Sequence, residues 1–99
     1  MTVEFLEEAE QELIEAACWY ESKQPGLGRQ FKMEIAAVAG WIAQNPLLQR
    51  EQEGGYRRIN CPVFPYYLPY FIRCNKIIIA AVAHERRRPV YWEERHSGV

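Results

Sequence analysis

Seven consecutive apolar residues, Ile77 to Ala83, constrain the chain more than any other feature. The run is far short of the roughly 20 residues that a membrane-spanning helix requires. Its β-branched members suit a strand covered on both faces, so residues 77–83 are expected as the central strand of a sheet. Directly after it the composition changes to His84, the arginines Arg86, Arg87 and Arg88, then Pro89, Tyr91 and Trp92. Titratable, cationic and stacking groups gathered at a strand end are suited to gripping an anionic partner.

The rest of the chain supplies what must pack around that strand. Val3 and Phe5 alternate with Thr2 and Glu4, which fits a brief N-terminal strand. Phe5, Ala9, Leu13, Ala16, Ala17 and Tyr20 then recur at helical spacing, with Glu7, Glu8, Glu10, Glu12 and Glu15 largely on the other side. This pattern predicts an amphipathic helix over about 6–22, with Glu7 and Glu8 near the positive end of its dipole but no proper N-cap at Leu6. Pro25, Gly26 and Gly28 break the chain. Phe31, Ile35, Val38 and Ile42 define a second helical face that ends at Asn45-Pro46. A loop this short makes the two helices an antiparallel hairpin covering one sheet face.

Residues 46–55 are largely polar and read as a connection. In residues 56–61, Tyr56, Arg58 and Asn60 fall on one strand face and Arg57, Ile59 and Cys61 on the other. A turn through Pro62 and Pro65 leads to a strand over 66–73, with Tyr66, Leu68, Tyr70 and Ile72 on a shared face. Pro69 cannot donate a ladder hydrogen bond, so a bulge or local unpairing is expected there. Asn75, in the turn to the central strand, is the residue best able to take a positive φ.

A chain of 99 residues fits one small domain that buries about 60 to 65% of its unfolded surface. Cys18, Cys61 and Cys74 lack zinc-site or redox spacing and read as reduced, mostly buried thiols of a cytoplasmic protein. The acidic N-terminus gives no signal-peptide pattern, and neither a metal nor a cofactor is called for. The net charge of −1 hides an asymmetry: residues 1–50 hold eight Glu against four Lys/Arg, whereas residues 51–99 hold five against eight. Attraction of the whole protein to nucleic acid is therefore weak, while a local basic face remains open.

Taken together, this order of elements resembles the RelE/ParE superfamily of bacterial toxins, the plasmid stabilisation proteins. The residues that carry the resemblance are Phe5, Ala9, Tyr20, the Pro25-Gly26-Leu27-Gly28 turn before Phe31, Asn45-Pro46, Tyr56-Arg57-Arg58, Phe64-Pro65-Tyr66 and Tyr70. The stretch from Ala81 through His84, Arg87, Pro89 and Trp92 to Arg95 completes them. The resemblance implies an α+β, RelE-like fold: an N-terminal strand, an antiparallel helix hairpin, then a three-stranded antiparallel meander with a short C-terminal tail. It also implies an antiparallel sheet with the first strand beside the last. Functionally it implies a cytoplasmic toxin of a type II toxin-antitoxin module, held in a hetero-oligomer by a cognate antitoxin. RelE-like members cut mRNA on the ribosome, whereas ParE-like members inhibit DNA gyrase.

Metal-free RNA cleavage needs a base, an acid and cations around the phosphate. His84 and Tyr91 are the candidates for proton transfer, with Arg58 and Arg87 supplying charge. The alternative for His84 is a backbone hydrogen bond that caps the strand end. Arg57, Arg58, Arg73, Arg87, Trp92 and Arg95 are candidate partner-binding residues, although Trp92 reads first as packing the tail onto the sheet. Pro65-Tyr66 stands where RNA-cutting relatives carry a phosphate-binding arginine. That departure and the low overall charge tilt the reading toward gyrase inhibition, with ribosome-dependent cleavage and a non-toxic antitoxin-binding remnant as alternatives.

Overall fold

The computed structural model describes residues 1–96. In chain order the elements are β1 (Thr2–Phe5), α1 (Glu7–Lys23), α2 (Leu27–Gln44), β2 (Arg57–Asn60), β3 (Tyr66–Arg73), β4 (Lys76–Ile79), β5 (Ala83–His84) and a final turn of helix, α3 (Glu93–His96). The sheet runs β1-β4-β3-β2, with β5 paired to β3. β2, β3 and β4 form the expected antiparallel meander, and β4 lies inside the sheet. One expectation is corrected: β1 pairs with β4 in parallel, Val3 opposite Ile77 and Phe5 opposite Ile79, so the sheet is mixed. The helix hairpin and two strands intervene between them, ample length for the crossover that parallel pairing needs.

The apolar run divides where a single strand was expected. Tyr70 faces Ile79, but Tyr67 faces Ala83. Leu68 and Pro69 are thus set against Ala80, Ala81 and Val82, an extra residue on the later strand. This is the irregularity expected at Pro69, expressed as a bulge on its partner. Pro69 still accepts the Ala80 N–H through its carbonyl at 2.9 Å. Two backbone groups of the bulge bond to side chains instead: Val82 N–H donates to Glu12, and Ala80 C=O accepts from Arg95.

Each sheet face has its own cover. The hairpin lies on one, where Phe31, Ile35 and Ile42 of α2 pack with Leu68, Tyr70, Ile77, Ile79 and Val82. Full burial of such aliphatic and aromatic side chains contributes about 1.5–3 kcal/mol each. At the α1–α2 turn, Gly26 adopts φ 88° and Gly28 presses against the Ala17 carbonyl, where a Cβ would collide. Glu21 reaches across the turn to accept from Gly26 N–H at 2.9 Å and Gly28 N–H at 3.0 Å, satisfying donors at the start of α2. The opposite face is closed by the tail, whose Trp92 packs with Tyr67, Phe71, Ala80, Ala81 and Ala83.

In the β3–β4 turn, both Cys74 (φ 49°) and Asn75 (φ 63°) are left-handed, the geometry that matches a two-residue hairpin to the sheet twist. Cys74 and Cys18 are exposed, and only Cys61 is buried, which corrects the expectation for the thiols. Among the described residues, no helix is long and apolar enough to cross a membrane.

Candidate functional site

Helix α1 runs alongside the bulge and the tail, and its Glu12 carboxylate organises the region. Oε1 accepts from Val82 N–H at 3.1 Å and from Arg95 Nη1 at 2.9 Å. Oε2 accepts from Arg95 Nη2 at 3.0 Å, Arg87 Nη1 at 3.2 Å and the Tyr91 hydroxyl at 2.7 Å. Five donors therefore converge on one carboxylate, from a bulge and a tail some 70 to 83 residues away in sequence. The Glu12 side chain is only 13% exposed, whereas its sequence pattern placed it with the solvated face of an amphipathic helix. The signal that could have located it was the bulge expected at Pro69, because a bulge leaves backbone donors in need of an acceptor.

The two arginines on Glu12 are not equivalent. Arg95 is 19% exposed, grips both carboxylate oxygens and donates as well to Ala80 C=O. Its hydrogen bonding to Glu12 raises its pKa above the ordinary guanidinium value, so it is a permanent internal cation. Arg87 is 55% exposed, uses Nη1 alone on Glu12, and lays its guanidinium 3.7 Å from the centre of the Tyr91 ring. Burial first, and the Glu12 hydrogen bond second, push the Tyr91 phenol well above its usual range.

His84 sits at the end of β5, edge-on to Tyr66 at 5.0 Å. Its Nδ1 accepts from Arg86 N–H at 3.0 Å, and its carbonyl accepts from Arg87 N–H at 3.1 Å. With Nδ1 accepting, the neutral ring carries its proton on Nε2 and offers no lone pair there. His84 and Tyr66 line two adjoining hollows. One, of about 220 Å³, is shared with Glu12, Glu15, Val82 and Arg87; the other, of about 460 Å³, with Trp19, Tyr20 and Pro65.

The remaining candidates lie elsewhere. Trp92 is fully buried, donates from Nε1 to the Tyr67 hydroxyl at 3.1 Å and meets Tyr56 edge-on at 4.6 Å. It presents no surface to a partner, which corrects its place among the contact residues. Arg58 stacks 3.7 Å from the centre of the Tyr67 ring and donates to Asn60. Arg57 is 18% exposed and donates to Gln49 C=O, with Glu51 at 3.7 Å, so it fastens the long connection before β2. Arg73 lies at the far end of β3 from Tyr66, paired in register with Lys76. The structure thus gathers His84, Arg87, Tyr91 and Arg95 and leaves Arg57, Arg58 and Arg73 outside the group. Among the described residues no His, Cys, Asp and Glu group assembles a metal site.

A family model described as the ParE toxin of the type II toxin-antitoxin system, parDE, matches residues 3–89. Among solved structures, a chain of the chromosomal ParDE TA system from P. aeruginosa aligns with a TM-score of 0.75 at 17% identity, covering 85% of this chain and 95% of that one. At that identity the likeness is one of fold. No curated protein matches. Tyr91, Trp92 and Arg95, which fasten the tail, fall beyond the family-matched residues.

Proposed function

The chain belongs to the ParE toxin family of type II toxin-antitoxin systems, and from that premise we propose that it arrests growth by binding DNA gyrase, not by cutting RNA, and that a cognate antitoxin neutralises it. The observation that carries this reading is the hydrogen-bond state of the two candidate proton carriers. A general base must offer a lone pair to the 2′-hydroxyl, within about 2.6–3.2 Å of its proton. Tyr91 donates its proton to Glu12 and is held neutral, and His84 has its Nδ1 lone pair taken by the backbone of Arg86. The cations beside them are partly spent as well, Arg95 through three bonds to Glu12 and Ala80. What stays accessible is Arg87, together with the hollows along α1, a surface suited to recognition.

Tight expression of the chain in bacteria, with plasmid superhelicity and protein synthesis followed separately, tests the reading. Loss of negative supercoiling before any fall in translation is the expected order. Early ribosome-dependent cuts in mRNA, abolished by His84→Ala in a folded protein, would replace it with the endoribonuclease reading.

A further inference from the structure

Glu12 connects one arginine that is structural to another that is not. Arg95 is enclosed, and all its described bonds point inward. Arg87 is half exposed, and among the described residues only one of its guanidinium N–H groups is engaged, by Glu12. Three constraints nevertheless fix its direction: the backbone bond to His84 C=O, the stack on Tyr91 and the Glu12 contact. A free surface arginine loses rotamer freedom on engaging a partner. Here much of that ordering precedes binding.

Resting on the gyrase-binding reading, we propose that Glu12 is a positioning residue: it holds Arg87 as the outward cation at the mouth of the His84–Tyr66 hollow, ready for an acidic side chain of the protein target. The chemistry fits a carboxylate, because a guanidinium with free N–H donors accepts one as a fork. The placement also accounts for an acidic residue in the middle of a cationic cluster. Without Glu12, Arg87 and Arg95 would repel each other across the Tyr91 ring, which both approach, at 3.7 and 5.1 Å.

A double-mutant cycle separates positioning from mere support. Wild type, Glu12→Gln, Arg87→Ala and the double variant are compared for growth arrest and for inhibition of purified gyrase, below the melting point of the weakest variant. If Glu12→Gln does not fold, Glu12→Asp takes its place. Glu12→Gln is expected to weaken inhibition roughly 10-fold when Arg87 is present and less than about 2-fold when it is absent, within the range of coupling seen between contacting residues. Additive losses, equal in both backgrounds, overturn the positioning role and leave the gyrase reading intact. Coupled losses in growth arrest with supercoiling unaffected overturn the gyrase reading and leave the positioning role standing. A wild-type chain that arrests no growth overturns both.

Discussion

Replacing Glu12 by Ala removes one carboxylate and strands three kinds of donor, and the loss can be worked group by group. Arg95 and Glu12 are 19% and 13% exposed, so their pair is mostly shielded from water. Deleting one member of such a pair leaves an uncompensated charge and typically costs about 3–5 kcal/mol. The Val82 N–H loses its acceptor in a partly buried setting, which adds about 1–3 kcal/mol if water does not reach it. Arg87, more than half exposed, adds no more than about 1 kcal/mol, and the Tyr91 hydroxyl, which loses the same acceptor in a part-buried setting, adds about 1–3 kcal/mol where water does not reach it. These losses overlap because the groups share one site, and about 4 kcal/mol is a reasonable total. Small domains have about 5–15 kcal/mol of stability, and at about 4–8 °C per kcal/mol the melting temperature should fall by roughly 15–30 °C. Thermal unfolding followed by circular dichroism measures it. The double variant Glu12→Ala with Arg95→Met should recover part of the loss, since no buried charge is then left alone. A fall under about 5 °C, or no recovery in the double variant, would refute the claim that Glu12 fastens the tail.

Three further outcomes follow from the same geometry. Trp92→Ala empties a fully buried site and should destabilise by about 3–5 kcal/mol, read as a lowered melting temperature with loss of tail protection in hydrogen exchange. Val90, β-branched and at φ 51°, occupies a left-handed conformation that costs an L-residue about 1–2 kcal/mol, so Val90→Asn should raise the melting temperature by a few degrees. Burial, Glu34 and Glu85 push the Cys61 thiol from its ordinary 9.0 up to about 12. Its folded-state value is the higher, so the unfolded chain ionises first: the contribution is intact below pH 9 and is lost between pH 9 and 12. Melting temperature against pH should steepen downward there, and Cys61→Ala should flatten the decline.

Local signals made most of the fold readable. Pro25, Gly26 and Asn45-Pro46 placed the helix ends within a residue or two, and alternation along Tyr66–Arg73 gave the strand and the residues that share a face, which the structure turns toward the helices. The parallel pairing of β1 was not legible, because strand direction depends on a crossover that no local pattern records. The break after Ile79 was hidden by composition, as Ala80 to Val82 continue the apolar run and stay buried although they leave the ladder. Glu12 was easily overlooked for a related reason. A glutamate in an amphipathic helix reads as solvated unless its partners are known, and these lie in the bulge and the tail. For His84 the residue type left two roles open, and the bond from Arg86 N–H to Nδ1 is a contact that the backbone-capping role requires.

Whether this toxin binds gyrase or cuts RNA is decided with the purified chain in two assays run together. DNA gyrase supercoiling of a relaxed plasmid is measured beside primer extension on mRNA held in translating ribosomes. Blocked supercoiling, restored by the cognate antitoxin, is expected together with intact mRNA at toxin concentrations that block gyrase. Normal supercoiling with discrete mRNA cuts that disappear in His84→Ala would contradict the gyrase reading.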